Sequence, residues 1–318
     1  MTAPLVLLAF AAVAAVAGSR LLARSSWVQR SPPWGIWAWQ ALTAAVALAI
    51  VMAGVTVALP ALPVRTHVAD LFGTTSFYVA QHYTTPAGAA LAAASAVLTA
   101  VLLVSVAAQI AVHLHRSARQ RRSQVEALVM VGVQHPDGFV VVDHQAPVVY
   151  CLPGRRSQVV VSSAALELLT PRELRLVLAH EDTHLRARHD LALSMAAALE
   201  KAFLGLRVFS RAHEQIATLV EMQADDSAQA SVDRRALARA LVTLCSGASP
   251  GPALAAGETA ALARVRRLTA SSASPLRPRQ GALVGATTAV LLSTPLVLAL
   301  APALEATVTN CWSATHSA

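Results

Sequence analysis

The sequence is poor in charge, in aromatic residues and in cysteine. Only 13% of its 318 residues are charged and 4% are aromatic, and none of its three cysteines belongs to a C-x-x-C pair. Without such a pair, neither a disulfide framework nor a thiolate zinc site is indicated. Acidic residues are outnumbered, 17 against 25 Lys and Arg, which gives a net charge of +8. Such a surplus occurs in proteins that bind nucleic acid or anionic lipid, so its position along the chain must decide.

Apolar residues take the place of the missing charge. They make up 55% of the chain, and the mean hydropathy of +0.54 is too high for an ordinary soluble domain. A helix needs about 20 apolar residues to cross a bilayer. Four runs satisfy this length and predict transmembrane helices at Ala3–Leu22, Ile36–Leu59, Ala87–Val112 and Gly281–Leu304.

The basic residues cluster on one side of these four spans. Arginines gather between spans one and two (20–30), after span three (116–122) and before span four (264–279). The positive-inside rule then predicts a multi-pass plasma-membrane protein with both termini outside. The charge is therefore explained by topology, and we expect contact with the lipid bilayer but no direct contact with nucleic acid.

This topology divides the chain into three parts. We predict a membrane domain at 1–112, a cytoplasmic domain at 113–280, and a fourth span with a short extracellular tail at 281–318. The insert begins with β-branched runs separated by turn signals and becomes helical after Ser163, which indicates an α+β domain. Its strands are predicted at Val125–Val133, Phe139–Asp143, Pro147–Cys151 and Gln158–Ser162, of which the last is either a substrate-binding edge strand or a plain core strand.

One helix of the insert carries a metal-binding motif. The letters TPRE at 170–173 form a helix start with a threonine cap and a capping-box glutamate, and the apolar stripe that follows places HEDTH inside the helix. His180 and His184, four residues apart, then project from one face and can bind one zinc ion. Glu181 between them is the candidate general base for a water molecule activated by the metal.

A third zinc ligand is expected downstream. The stretch EMQAD contains Glu221 and Asp225, four residues apart on a second predicted helix. Glu221 is the ligand candidate, which leaves a fourth position open for water, and Asp225 is suited to hold a ligand histidine by its free N–H group. Such a pair is often only a solvated helix face, but the upstream H-E-x-x-H motif favours the functional interpretation.

Together, VLAHEDTHLRARHD and EMQAD resemble the M56 family of membrane zinc metallopeptidases (BlaR1/MecR1 type), which are gluzincins related to the M48 peptidases. The layout of three spans, a zinc domain and a fourth span is similar too, whereas M48 proteases of the HtpX kind usually place two spans on each side. The resemblance implies zinc, with His180, His184 and Glu221 as ligands, Glu181 as general base and Asp225 as support. It also implies an endopeptidase that cleaves a cytoplasmic protein, often a transcriptional repressor, in a signalling pathway.

The sequence departs from the antibiotic-sensing members of that family. We expect no penicillin-binding sensor after the last span, and an S-x-x-K motif is impossible in this sequence because Lys201 is its single lysine and residue 198 is alanine. Two alternatives stay open: an M48/HtpX-like quality-control protease for membrane proteins, and a non-catalytic membrane protein with a structural metal. Glu181 argues against the second alternative, because a structural site would not require an acid there. The family ending RHD adds His189 and Asp190, for which a structural role is expected.

Overall fold

In the computed structural model the described part of the chain is mostly helical and contains a small sheet. The structure describes residues 2–59, 88–154, 157–228, 234–247, 264–265, 267–268 and 278–316. The helices are α1 Thr2–Val13, α2 Ser19–Arg24, α3 Ser26–Arg30, α4 Pro32–Ala58, α5 Gly88–Val131, α6 Ser163–Leu168, α7 Pro171–Arg186, α8 His189–Ala202, α9 Arg207–Ala228, α10 Arg234–Gly247 and α11 Pro278–His316. The strands are β1 Gly132–Gln134, β2 Val140–Val142, β3 Val149–Leu152 and β4 Gln158–Ser162, and a π-helical segment, Ala14–Gly18, joins α1 to α2.

Within the described ranges, four helical stretches are long and apolar enough to cross a membrane, as the sequence predicts. They are Thr2–Arg24, Pro32–Ala58, Gly88–Arg116 and Pro278–Glu305. The first stretch combines α1, the π-helical segment and α2 into one span. The architecture is therefore that of a membrane protein in which a domain with a small sheet lies between spans three and four.

The third span continues far beyond the membrane. Helix α5 has 44 residues, Gly88–Val131, and at 1.5 Å per residue it is roughly 66 Å long, about twice the bilayer core. The predicted strand at Val125–Val133 is therefore wrong over most of its length. A helix that is already nucleated gains one hydrogen bond for each residue added, and this outweighs a short β-branched run. Because α5 crosses residue 113 and α11 crosses residue 281 without a break, the domain boundaries stay a prediction.

The sheet has the strand order β1-β2-β4-β3. Strand β4 pairs parallel with β2 and antiparallel with β3, so β4 is a central strand and β3 lies at an edge. The interpretation of Gln158–Ser162 as an edge strand is therefore wrong, and the plain core strand is what the structure shows. The reason is visible in adjacent residues Val160 and Val161, which are both fully buried, because successive side chains point to opposite faces of a strand and both faces of β4 are covered.

Helix α7 begins with the capping box that the sequence predicts. The Thr170 hydroxyl accepts a hydrogen bond from the Glu173 backbone N–H, and the Glu173 carboxylate accepts one from the Thr170 N–H. These two bonds satisfy donors that a helix start otherwise leaves unpaired. The cap fixes where α7 begins and therefore which face its histidines occupy.

Helix α9 packs directly against the second span, α4. Ile216 and Leu219 of α9 are buried in the same apolar cluster as Trp39 of α4. Gly35 permits the close approach, because a Cβ atom there would lie 2.8 Å from the Val28 carbonyl oxygen and 3.1 Å from Cδ1 of Leu219. The insert is thus joined to the membrane spans by a continuous core.

Candidate metal centre

The two motif histidines meet on one face of α7. Nε2 of His180 lies 3.2 Å from Nε2 of His184, and His180 is buried. The spacing of four residues is one helical turn, so the capped helix alone brings the rings together. Two nitrogen atoms at this separation can be ligands of a single metal ion.

Helix α9 adds a carboxylate to this pair. Oε2 of Glu221 lies 3.6 Å from Nε2 of His180, and Oε1 of Glu221 lies 3.7 Å from Nε2 of His184. Zinc ligands about 2.0–2.2 Å from the metal stand roughly 3.3–3.6 Å apart in a tetrahedral site. The three side chains form the one such group among the described residues that could hold a metal ion. The set of donors and their spacing fit zinc.

Asp225 lies behind the first histidine, away from Glu221. Its Oδ1 is 3.1 Å from Nδ1 of His180, and Asp225 is only 1% exposed. The distance suits a hydrogen bond, although the N–H is not aligned with the oxygen in this arrangement, and Nδ1 has no well-aligned partner among the described atoms. Asp225 is therefore placed to orient the imidazole, as the sequence predicts.

Arg264 joins both carboxylates of α9. Its Nε and one terminal nitrogen donate to Asp225 at 2.9 and 2.6 Å, and the other terminal nitrogen lies 2.9 Å from Oε2 of Glu221. Burial raises the pKa of the Asp225 and Glu221 carboxyl groups, but hydrogen bonds and charge from Arg264 and His180 outweigh it and lower both pKa values. Both groups are therefore held as carboxylates, the form that binds a metal or orients a ligand.

His189, at the start of α8, supports the second histidine. Its Nδ1 lies 3.0 Å from Nδ1 of His184, so one of the two rings donates a proton and the other accepts it. His189 is 2% exposed, and its burial lowers its pKa. This contact directs the opposite nitrogen of His184 towards Glu221, which supports the expected structural role of His189. Asp190 lies outside the cluster and contacts the Arg188 side chain at 3.5 Å.

The two motif histidines hold protons differently. Burial opposes the charged form of His180, but the adjacent carboxylates of Asp225 and Glu221 favour it and raise its pKa to about 9. Burial lowers the pKa of His184 to about 4. Since a metal binds neutral imidazole, zinc binding at this site would release the His180 proton.

Glu181 lies beside the metal-binding group and faces β3. Burial raises the pKa of its carboxyl group, whereas the charge on His180 and a hydrogen bond with the Cys151 thiol lower it, and the net direction is upward. A carboxylate with a raised pKa is a better proton acceptor near neutral pH. The same neighbour acts on the thiol, since burial and then Glu181 raise the pKa of Cys151 to about 12, so Cys151 stays protonated.

These groups open into a cavity of about 350 Å³. One side is lined by the edge strand β3, through Val149, Tyr150 and Cys151, and the opposite side by apolar residues of α10, among them Leu241. The cavity thus brings together a polar floor, an apolar wall and a strand edge that pairs with no other described strand.

Comparison with known proteins identifies the family. The family model described as Peptidase family M48 matches residues 114–316, more than half of the chain. The chain belongs to peptidase family M48. A curated relative, the Plastoglobule-localized metallopeptidase 48, chloroplastic, of Arabidopsis thaliana, is 31% identical over 167 residues, which cover 48% of this chain and 47% of the relative. The chain therefore spans about half the length of that relative. No solved structure matches the chain.

Membership of M48 confirms some predictions and overturns one. M48 peptidases use zinc, so the predictions of zinc and of a metallopeptidase are confirmed at the level of the family. The assignment to the M56 family is wrong. That assignment relied on the layout of three spans before the domain and one after it. The number of spans describes how a domain is attached to the membrane and does not identify the domain. The M48 match instead covers the sequence of the domain itself.

Sequence reasoning missed two residues of the site. In the sequence, Arg264 belongs to the run RVRR, which indicates only topology, but in the structure it lies 3.4 Å from His180, 84 residues earlier in the chain. Cys151 is one of the three cysteines that belong to no C-x-x-C pair, and the sequence pattern assigns it no role. Its place beside Glu181 follows from the packing of β3 against α7, which no local pattern encodes.

Proposed function

We propose that this M48 protein is a membrane-bound zinc endopeptidase that cleaves polypeptides in or beside the membrane, as a quality-control protease does. One observation carries the proposal: His180, His184 and Glu221 converge with spacings that suit a single zinc ion, and Glu181 stands beside them with a raised pKa. The four apolar helices support a membrane location.

The proposed roles follow from the geometry. His180, His184 and Glu221 would hold the zinc, which supplies a Lewis acid that acidifies a water molecule and polarises a peptide carbonyl. Glu181 would accept the proton of the attacking water and deliver it to the leaving amine nitrogen. Asp225 would hold the His180 ring in place.

Strand β3 suggests how a substrate is held. It lies at the edge of the sheet and lines the cavity next to Glu181, so an extended peptide could pair with its outer edge while crossing the metal-binding group. Main-chain pairing of this kind depends little on sequence, and specificity comes from pockets for alternate side chains. The apolar wall formed by α10 favours apolar side chains, which are common in unfolded or membrane-derived segments.

The arginine distribution supports a cytoplasmic site. We propose that the termini lie outside and that the insert faces the cytoplasm, because the arginine groups at 20–30, 116–122 and 264–279 then lie on the inner side. Reporter fusions at residue 140 and at the C-terminus test this. Alkaline phosphatase activity from a fusion at residue 140 would reverse the orientation.

The transcriptional repressor is no longer the favoured substrate. It was implied by the M56 resemblance, and the M48 match points to the alternative of a quality-control protease. The other alternative, a non-catalytic metal protein, is disfavoured by the position of Glu181, because a structural site needs no buried base beside its ligands.

A matched pair of variants tests the proposal. Full-length protein reconstituted in lipid is incubated with casein and with a misfolded membrane protein, and bound zinc is measured in parallel. Glu181→Gln should lower cleavage by about 10²–10⁴-fold and keep the zinc, because it removes only the proton acceptor. Glu214→Gln, an exposed glutamate earlier on α9, should cleave and bind zinc normally. Unchanged cleavage in Glu181→Gln would refute the mechanism.

A further inference from the structure

A second cavity lies at the end of α9 opposite the metal centre. It has a volume of about 570 Å³ and forms where the first turns of α9 meet the π-helical segment and α2. Three arginines line it: Arg20 from α2, and Arg207 and Arg211 from α9. It shares no lining residue with the metal centre. The cavity is therefore a separate site.

No carboxylate among the described residues neutralises the arginines of this cavity. All three are exposed, and within the described ranges no carboxylate lies at ion-pair distance from their guanidinium groups. Glu214 also lines the cavity without pairing with them. By contrast, Arg267 beside the metal centre pairs with Asp226. Three arginines that line one cavity without a described carboxylate partner favour an external anion, and guanidinium matches phosphate geometry well.

The position of the cavity indicates which kind of molecule carries that anion. Arg20 lies in the last turns of the first span, Thr2–Arg24, at the depth where a bilayer has its headgroups. Exposed apolar side chains line the cavity beside the arginines, with Val16 of the first span 51% exposed and Leu206 44% exposed. A free phosphate ion would gain nothing from these side chains, whereas a lipid can lay its acyl chains on them.

The local geometry of the span also marks this place. The π-helical segment Ala14–Gly18 contributes Ala15 and Val16 to the cavity wall. Single π-helical turns are rare in α-helices and occur frequently at functional sites. The irregular turn and its small side chains together leave space between the first span and α9.

We propose that this cavity binds the phosphate headgroup of an anionic glycerophospholipid, with Arg20, Arg207 and Arg211 as the binding residues. The lipid would lie between the first span and the beginning of the helix whose other end carries Glu221. Binding of the lipid does not depend on peptidase activity, so the site can be tested whether or not the proposed function is correct.

Native mass spectrometry of the full-length protein tests the site. Protein released from mixed nanodiscs of phosphatidylglycerol and phosphatidylcholine should retain phosphatidylglycerol selectively. Each arginine near an anionic headgroup changes affinity by about fivefold, so Arg207→Gln combined with Arg211→Gln should weaken retention roughly 25-fold. Arg20→Gln, on a different helix, should weaken it about fivefold. The double lysine variant at 207 and 211 keeps the charge and should retain most of the lipid.

The matched control removes the same charge elsewhere. Arg175→Gln combined with Arg235→Gln changes two exposed arginines of α7 and α10 and should retain lipid as the wild type does. Thermal unfolding in detergent checks that each variant is folded. The proposal fails if the 207/211 glutamine variant keeps wild-type retention, or if the control variant loses as much lipid. It also fails if inorganic phosphate or glycerol phosphate displaces the lipid at equal concentration, which would indicate a site for soluble phosphate.

Discussion

The two ends of helix α9 differ in whether their charged side chains have partners of opposite charge. At its end near Ala228, Glu221 and Asp225 are surrounded by histidines and by Arg264, and every charge has an opposite partner. At its beginning, Arg207 and Arg211 stand exposed around a cavity without such a partner among the described residues. One helix therefore carries a compensated site and an uncompensated one.

The two arrangements suit different kinds of binding site. A metal centre works when its ligands are held in one geometry, and neighbouring charges that satisfy each ligand provide this. Charges left without a partner are instead free to bind something from outside. Between the two ends, Ile216 and Leu219 fix the helix against α4, so both sites share one rigid element.

The largest effect is expected for Glu221→Gln, at the metal-binding end of α9. The amide keeps the shape but loses the charge that pairs with Arg264 and the histidines, so zinc affinity should fall by more than about 100-fold, beyond the 10–100-fold typical of outer-shell partners. Zinc content after dialysis measures this. Glu214→Gln, on the same helix, is the control and should keep its zinc. Undiminished zinc in Glu221→Gln would remove Glu221 from the ligand set.

Ile216 lies between the two ends of α9, and its substitution should weaken the packing of this helix against α4. Its side chain is 1% exposed in the cluster shared with the spans. Ile216→Ala should lower the free energy of unfolding by about 2–4 kcal/mol, and Ile216→Val by only about 1 kcal/mol, because more buried methyl groups are lost in the first variant. Chemical unfolding in detergent compares the two. Equal losses would show that the α9–α4 contact is not tightly packed.

Arg264 pairs with the carboxylates at the metal-binding end of α9 only, so its substitution should affect that end and leave the other end unchanged. Arg264→Gln should lower zinc affinity and peptide cleavage by about 10–100-fold, since it releases Asp225 and Glu221 together. Arg264→Lys should recover only part of this, because an ammonium group cannot make the two-pronged contact. Phosphatidylglycerol retention should not change in either variant. Normal zinc affinity in Arg264→Gln would contradict the role given to this residue.

The smallest expected effect is at the start of α7. A hydrogen bond from Thr170 lowers the pKa of Glu173 below its ordinary 4.5. Glu173 therefore adds stability above that ordinary pKa and loses it as pH falls through the lowered value. Thr170→Ala should cost about 1 kcal/mol at neutral pH and less in acid. Unfolding curves at both pH values measure the difference, and a cost that does not change with pH would argue against this coupling.

Sequence and structure agree where a pattern is local. The four spans, the capping box and the shared face of His180 and His184 depend on neighbours within one or two helical turns, and the sequence predicts them. The convergence of Glu221 with them was predicted by chemistry, since a zinc site needs a third donor.

Other features depend on packing between distant segments. Arg264 reaches His180 across 84 residues, and nothing in its run of arginines indicates which of them turns inward. The central place of β4 likewise depends on β2 and β3 flanking it. The length of α5 was missed because a helix continues past β-branched residues once the membrane span has formed it.

The close packing of Gly35 against Leu219 holds the candidate metal centre near the start of the second span. Gly35 lies in the first turn of the second span, and Leu219 is two residues from Glu221. Arg267, three residues after Arg264, also donates to the backbone of Gln29 between the first two spans. An extended chain advances about 3.3 Å per residue. For the proposed peptidase, a substrate anchored in the same bilayer would then have its first cleavable bond a short tether away from its own span.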